Sequence, residues 1–187
     1  MTTEPVGPDG AGTNEHEPAL VDPPRRLGLL LVVGIVIFVL DLVSKVVVVA
    51  TLSDRAPLRL LGGLVYLTEA RNTGAAFGLA EGMTVVFTMV AAGVIVVILR
   101  TAPRLRSTGW AWALGLIAGG ALGNLVDRIF RSPGVFRGGV VDFLSVLDPA
   151  GQVWPIFNVA DSAIVCGGLL GVVMAFRGRE FDGGRTH

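Results

Sequence analysis

Carboxylate and amide side chains are concentrated in one part of an otherwise apolar chain, residues 119–161. Three aspartates and two asparagines lie there, in or beside apolar runs: Asp127, Asp142, Asp161, Asn124 and Asn158. Arg128 directly follows the first of these aspartates. An ionised side chain near hydrocarbon is unfavourable by several kcal/mol unless it is paired, neutralised or hydrated. We therefore interpret this group as a functional site.

Three kinds of chemistry are compatible with these residue types. Two carboxylates that share a site cannot both ionise easily, so one keeps its proton at neutral pH. Such a pair can activate water with one oxygen and protonate a leaving amine with the other, as in an aspartic peptidase. Carboxylate and amide oxygens can instead bind Mg²⁺ for phosphate-ester or diphosphate chemistry. A non-enzymatic polar cluster, such as a transport path, is the third hypothesis.

The composition indicates the class of protein that holds this group. Hydrophobic residues make up 52% of the 187 residues and charged residues only 16%, against about 25% charged in soluble domains. These proportions are typical of a membrane protein. The formal net charge is zero and no basic run occurs, so nucleic acid is not an expected partner.

Four apolar runs predict the architecture. A helix rises about 1.5 Å per residue, so about 20 apolar residues cross a hydrocarbon core of about 30 Å. The sequence predicts an all-α multi-pass membrane protein over residues 25–178, with four transmembrane helices at about 27–50, 83–99, 110–127 and 156–176. The two outer loops are then residues 51–82 and 128–155.

The first outer loop has the pattern of a small β-hairpin. Two short strand-like runs, at 57–61 and 64–68, flank Gly62 and Gly63, which form a two-residue turn signal. We therefore expect a small extracytoplasmic β-hairpin or sheet region beside the helices.

Arginines predict the orientation of the chain. They flank the first span, the connection after the second span and the end of the fourth: Arg25, Arg26, Arg100, Arg104, Arg106, Arg177 and Arg179. By the positive-inside rule, both termini are cytoplasmic and the carboxylates lie at the outer side. Residues 1–24, rich in Pro, Gly and acidic residues, are predicted to be a disordered tail, and residues 179–187 a short cytoplasmic tail.

Two charged residues interrupt the first apolar run. Asp41 and Lys45 are four residues apart, which places them on one helix face in the favourable order. Lys45 is close enough to the helix end for its amine to reach water at the membrane surface. The pair is either a structural ion pair or a support for the functional site.

Five segments in order resemble the motifs of the lipoprotein signal peptidase (signal peptidase II) family. They are Asp41 with Lys45, NTGAAFG at 72–78, GNLVDR at 123–128, VVDF at 140–143 and FNVADSAI at 157–164. No single motif is decisive, but five in sequence order and in matching topological places are specific. Together they cover nearly the whole chain after the tail.

The resemblance implies a bacterial inner-membrane aspartic endopeptidase that needs neither metal nor cofactor. It implies cleavage of diacylglyceryl-modified prolipoproteins before the lipidated cysteine, with membrane lipid as the surroundings; we expect a monomer. The implied catalytic dyad is Asp142 and Asp161. The residues implied to bind substrate or support the dyad are Asn72, Gly74, Ala75, Asn124, Arg128 and Asn158. The implied structural polar residues are Asp41, Lys45 and Asp127.

Simpler roles stay open for two of these residues. Arg128 would merely neutralise Asp127, and Asn158 would merely satisfy backbone groups at the start of the fourth helix. The alternative function from the residues alone is a metal-dependent membrane phosphatase or lipid-head-group transferase.

Overall fold

A computed structural model describes residues 24–73 and 83–184 of the chain. The predicted tail over residues 1–24, apart from its last residue, lies outside these ranges. Gly74 and Ala75, predicted to line the substrate site, also lie outside the described residues, as do the last three residues of the chain.

Four long helices form the body of the protein, as predicted. They are α1 (Leu27–Leu52), α2 (Met83–Thr101), α3 (Thr108–Phe130) and α4 (Val159–Phe176). Each is long and apolar enough to cross a membrane. Helix α3 continues past the predicted end near residue 127, so Asp127 and Arg128 lie in its last turns. Helix α4 begins three residues later than predicted.

Helix α3 occupies the centre of the bundle and packs against each of the other three helices. Small residues let its backbone approach its neighbours. A β-carbon at Gly119 would lie 2.5 Å from the carbonyl oxygen of Gly34 in α1, and one at Gly120 would collide with the carbonyl oxygen of Ala160 in α4. Without a hydrophobic effect between helices in lipid, such close packing is a main source of helix association.

The distribution of side chains in α1 is the inverse of that in a soluble helix. Asp41 and Lys45 are buried, whereas Val36, Leu40 and Val47 are at least half exposed. Apolar side chains on the outside and charges on the inside suit a helix surrounded by lipid.

Three antiparallel strands cover one end of the bundle. They are β1 (Leu58–Leu60), β2 (Val65–Asn72) and β3 (Val140–Val146), in the order β1-β2-β3. The predicted hairpin is confirmed: β1 pairs with β2, with Leu60 opposite Val65. Strand β2 continues to Asn72, and β3, which the sequence pattern did not reveal, pairs with it from the second loop.

Main-chain hydrogen bonds fasten β3 to the start of α4. The Phe157 N–H donates to the carbonyl oxygen of Leu144 at 2.9 Å, and the Leu144 N–H donates back to Phe157 at 2.8 Å. The predicted helical start at residue 156 is therefore wrong, because residue 157 pairs with a strand. This pairing brings the strand that carries Asp142 beside the helix that carries Asp161.

Candidate active site

Asp142 lies on β3, opposite Ala70 of β2, and its side chain is buried. Its two carboxylate oxygens accept hydrogen bonds from two amides: Asn158 Nδ2 donates to Oδ1 at 2.7 Å and Asn72 Nδ2 donates to Oδ2 at 2.9 Å. Burial, and then the negative charge of Asp161, raise the pKa of Asp142 to about 7, although the two amide donors and Lys45 act in the opposite direction. Asp142 therefore holds a proton readily near neutral pH.

Asp161 lies in the first turn of α4, where it forms a reciprocal cap with Asn158. The Asp161 N–H donates to Asn158 Oδ1 at 2.8 Å, and the Asn158 N–H donates to Asp161 Oδ2 at 3.2 Å. The other carboxylate oxygen of Asp161 accepts from Asn124 Nδ2 at 2.7 Å. A carboxylate at this position is also favoured by the positive end of the helix dipole.

Asn158 is the direct connection between the two aspartates. It caps α4 with its oxygen, as the simpler interpretation proposed, and it also donates to Asp142 with its nitrogen. The side chain is fully buried. One amide therefore fixes the relative position of Asp142 and Asp161, and capping is only half of its role.

Lys45 is buried beneath the aspartate pair, so the prediction that it reaches water at the membrane surface is wrong. Its ammonium group contacts Asp41 Oδ2 at 2.7 Å, which confirms the predicted ion pair, and Asp127 Oδ2 at 2.9 Å. The ammonium also donates a hydrogen bond of 3.0 Å to Asn124 Oδ1. A buried charge needs such compensation, and packing against α3 supplies it.

The two acids around Lys45 tie neighbouring elements together. Asp41 Oδ1 accepts from the Ala160 N–H of α4 at 2.9 Å, and Asp127 Oδ2 accepts from the Val141 N–H of β3 at 3.2 Å. Asp127 also pairs with Arg131 one turn later. The sequence interpretation missed Arg131 because it ended the helix near residue 127; the i, i+4 spacing was the available signal.

Arg128 is not the sole counter-charge of Asp127, which also pairs with Lys45 and Arg131. Its guanidinium donates to the carbonyl oxygen of Asn124 at 3.1 Å and lies 6.0 Å from the centre of the Phe87 ring. Its positive charge is close enough to Asp161, Asp142 and Asp127 to interact with all three.

A cleft of about 270 Å³ lies beside Asp142, at the end of the bundle where the sheet meets α4. Asn72, the last residue of β2, lies in its wall and holds Asp142. Ala70 and Thr73 contribute from the same strand and the residue that follows it, and Ala150 and Ile156 from the loop before α4. Sequence reasoning missed this loop, because nothing in its residue types suggests chemistry.

The arrangement of donors has a clear chemical meaning. All four carboxylate oxygens of Asp142 and Asp161 accept a hydrogen bond from an N–H group. Within the described ranges, no group of three or more His, Cys, Asp or Glu side chains is arranged to hold a metal ion. Two aspartates bridged by one asparagine, at the end of four helices long enough to span a membrane, are the arrangement expected of an integral-membrane aspartic peptidase.

Comparisons with known proteins agree with this class. A family model described as Signal peptidase (SPase) II matches residues 33–177. The chain is 49% identical to a lipoprotein signal peptidase of Streptomyces griseus, over 96% of this chain and 92% of the relative. It is also 49% identical to that of Mycobacterium tuberculosis, over 100% of this chain and 87% of the relative. The chain therefore belongs to the signal peptidase II family.

Two solved structures of bacterial membrane enzymes share the fold. One has a TM-score of 0.71 and 24% identity, covering 83% of this chain and 97% of that chain. The other has a TM-score of 0.68 and 25% identity, covering 83% and 92%.

Proposed function

We propose that this protein removes signal peptides from diacylglyceryl-modified prolipoproteins, by hydrolysing the peptide bond before the lipidated cysteine. The observation that carries the proposal is the pair of Asp142 and Asp161, bridged by Asn158, within a membrane bundle of the signal peptidase II family. The relatives named above are lipoprotein signal peptidases, which supports this substrate class.

The pair performs the reaction with one proton. An ionised carboxylate, Asp161, removes a proton from a water molecule as the water oxygen bonds to the scissile carbonyl carbon. Protonated Asp142 hydrogen-bonds the carbonyl oxygen and stabilises the charge that develops there. When the C–N bond breaks, Asp161 gives the proton it took from water to the leaving amine, so the pair is left with a single proton, on Asp142, when both products leave.

We further propose that the site is at the outer face of the bacterial cytoplasmic membrane, with both termini in the cytoplasm. Main-chain hydrogen bonds from Arg26 to Leu105 and from Arg106 to Phe181 gather the arginine-rich connections at one end of the bundle. The aspartate pair is at the other end. By the positive-inside rule, the arginine-rich end is the cytoplasmic one, so the end with the aspartate pair is the outer one.

The position of the cleft suits a substrate that is itself a membrane span. The cleft lies where α4 begins, so a bond at the outer end of a spanning signal peptide reaches Asp142 without drawing the peptide out of lipid. Two acyl chains on the cysteine retain the precursor in the bilayer, at about 0.8 kcal/mol per buried CH₂ group. Selection of the lipidated precursor must then come from the groove itself.

The experiment is cleavage in proteoliposomes with a diacylglyceryl-modified precursor peptide and the same peptide with an unmodified cysteine, at equal membrane density. We expect the lipidated peptide to be cut far faster, and EDTA to leave the rate unchanged. Loss of cleavage in EDTA would show that the reaction depends on a metal ion and would overturn the metal-free aspartate mechanism. Equal rates on the two peptides would reduce the function to that of a general membrane aspartic peptidase.

A further inference from the structure

The buried ammonium of Lys45 makes three contacts, and one of them has a consequence for the aspartate pair. An ammonium group has three N–H donors and no acceptor. Asp41 Oδ2 and Asp127 Oδ2 form ion pairs with the ammonium at 2.7 and 2.9 Å, and Asn124 Oδ1 accepts a hydrogen bond from it at 3.0 Å. The Asn124 amide must therefore turn its oxygen, and not its nitrogen, toward Lys45.

The orientation of the Asn124 amide determines whether the Asp161 carboxylate faces an N–H donor or an oxygen. With Oδ1 directed at Lys45, Nδ2 is directed at Asp161 Oδ1, 2.7 Å away. The opposite orientation would place the amide oxygen against the carboxylate oxygen and the amide nitrogen against the ammonium, and both contacts would be repulsive. Lys45 thus acts on Asp161 indirectly: it orients the Asn124 amide, and that amide donates to Asp161.

The second amide depends on the first in the same way. Asn158 Nδ2 also donates to Asn124 Oδ1, at 3.1 Å. It has two N–H groups for three acceptors, since Asp142 Oδ1 and the carbonyl oxygen of Val141 are also within 3.3 Å. Asn158 therefore divides its two N–H groups among three acceptors, whereas Lys45 has one N–H group for each of its three acceptors. Lys45 is for this reason the firmer of the two donors to Asn124 Oδ1.

We propose that Lys45 is a positioning residue for the aspartate pair, which fixes the Asn124 amide so that Asp161 faces an N–H donor. The expected effect on cleavage rests on the proposed function. The positioning of Asn124 by Lys45 rests only on the contacts described above. Asp41 supports the arrangement from the same helix, by holding Lys45 with one oxygen and the Ala160 N–H with the other.

The test uses a double substitution, Lys45→Met with Asp41→Asn. Lys45→Met alone would leave Asp41 and Asp127 buried with one cation too few, and would risk unfolding. The double variant removes one charge of each sign and keeps an oxygen at position 41 for the Ala160 N–H. Asp41→Asn alone is the matched control, because it retains Lys45 and therefore the orientation of Asn124.

In the cleavage assay we expect the double variant to have a kcat at least tenfold below that of Asp41→Asn, with KM within about twofold. Both limbs of its pH–rate profile should move to higher pH by about one unit, since the ionised form of the pair loses a fixed N–H donor and the nearby Lys45 cation. The cations that interact with the pair are Lys45 and Arg128, and Arg71 lies in the wall of the cleft. Asp41, Asp127 and Arg131 lie one contact further away. All but Asp41 and Lys45 stay unchanged in the variant.

An infrared titration of the carboxyl C=O stretch tests the same inference without substrate. The signal of the pair is the one lost in Asp142→Asn, and its midpoint should rise by about one pH unit in the double variant relative to Asp41→Asn. An unchanged midpoint in a folded double variant would overturn the positioning role. A wild-type protein that titrates as expected but cuts no precursor would refute the proposed function and leave the role of Lys45 intact.

Discussion

Asn158 donates its side-chain N–H to Asp142 Oδ1 at 2.7 Å, and this hydrogen bond joins the start of a membrane helix to a strand outside the bundle. The same side chain caps α4 through its oxygen. Because both contacts come from one amide, the stability of the helix start and the position of the aspartate pair are coupled. Substitutions at this position can separate the two.

Asn158→Ser should keep the helix cap and lose the donor to Asp142. Serine is as good an N-cap as asparagine, whereas alanine lowers stability by about 0.5–2 kcal/mol. We expect Asn158→Ser to unfold near the wild-type temperature with kcat lower by roughly tenfold or more, and Asn158→Ala to lose both stability and activity. Thermal unfolding in detergent, with kcat measured on the same preparations, checks this. A fully active serine variant would show that the donor is dispensable.

Asp142→Asn and Asp161→Asn should each abolish cleavage while the protein still inserts into the membrane. An amide can neither accept a proton from water nor return one, so we expect a loss of roughly 10²- to 10⁴-fold or more. Asp54→Asn, at an exposed residue of the loop after α1, is the matched control and should keep wild-type turnover. The assignment of the pair would be wrong if either variant kept near wild-type turnover while a folded Asp127→Asn protein was inactive.

The pH dependence of stability should carry the signature of Asp142. Burial and the charge of Asp161 raise the pKa of Asp142 from its ordinary 3.8 to about 7 in the folded protein, so the folded state binds the proton more tightly than the unfolded state. Protonation of Asp142 therefore adds to the free energy of unfolding, on the order of a few kcal/mol. This stabilisation is fully present below about pH 4 and is lost as the pH rises to about 7. Thermal unfolding from pH 4 to 8 should show this decline, and Asp142→Asn should flatten it. An equal decline in the variant would assign it to other groups.

The rate of cleavage should also depend on the protonation of Asp142. The pair needs one carboxyl protonated and one ionised, so the rate should fall as the pH rises above about 7 and again at acid pH.

A large side chain in the cleft should block the substrate without disturbing the aspartate pair. Ala150 is exposed and lies in the cleft wall, so Ala150→Trp should fold normally and reduce kcat/KM by about tenfold or more, through a higher KM. Ala56→Trp, on another exposed loop residue, is the control and should behave as wild type. Unchanged kinetics of Ala150→Trp would place the substrate elsewhere.

Cysteine labelling tests the orientation. In a background with Cys166→Ala, an impermeant reagent added outside intact cells should label Arg59→Cys and Arg137→Cys and miss Arg104→Cys. All three positions are exposed, so differences in labelling report the side of the membrane. Outside labelling at position 104 would reverse the proposed topology.

The sequence by itself determined the features that depend on neighbouring residues. Length and apolarity determine that residues 27–50 and the three other runs are spanning helices, because a buried backbone in lipid must satisfy its own hydrogen bonds. Spacing determines the ion pair of Asp41 and Lys45, since residues four apart share a helix face. The ordered motifs identify the family.

Only the tertiary structure decided where these residues point and what they meet. Asp41 contacts Ala160 across 119 positions of sequence, and Lys45 turns inward because α3 offers it Asp127 and Asn124. No local period encodes such contacts. They arise because glycines let α3 approach its neighbours closely, and because Phe157 extends the sheet to the start of α4, which places Asp142 and Asp161 within reach of one amide.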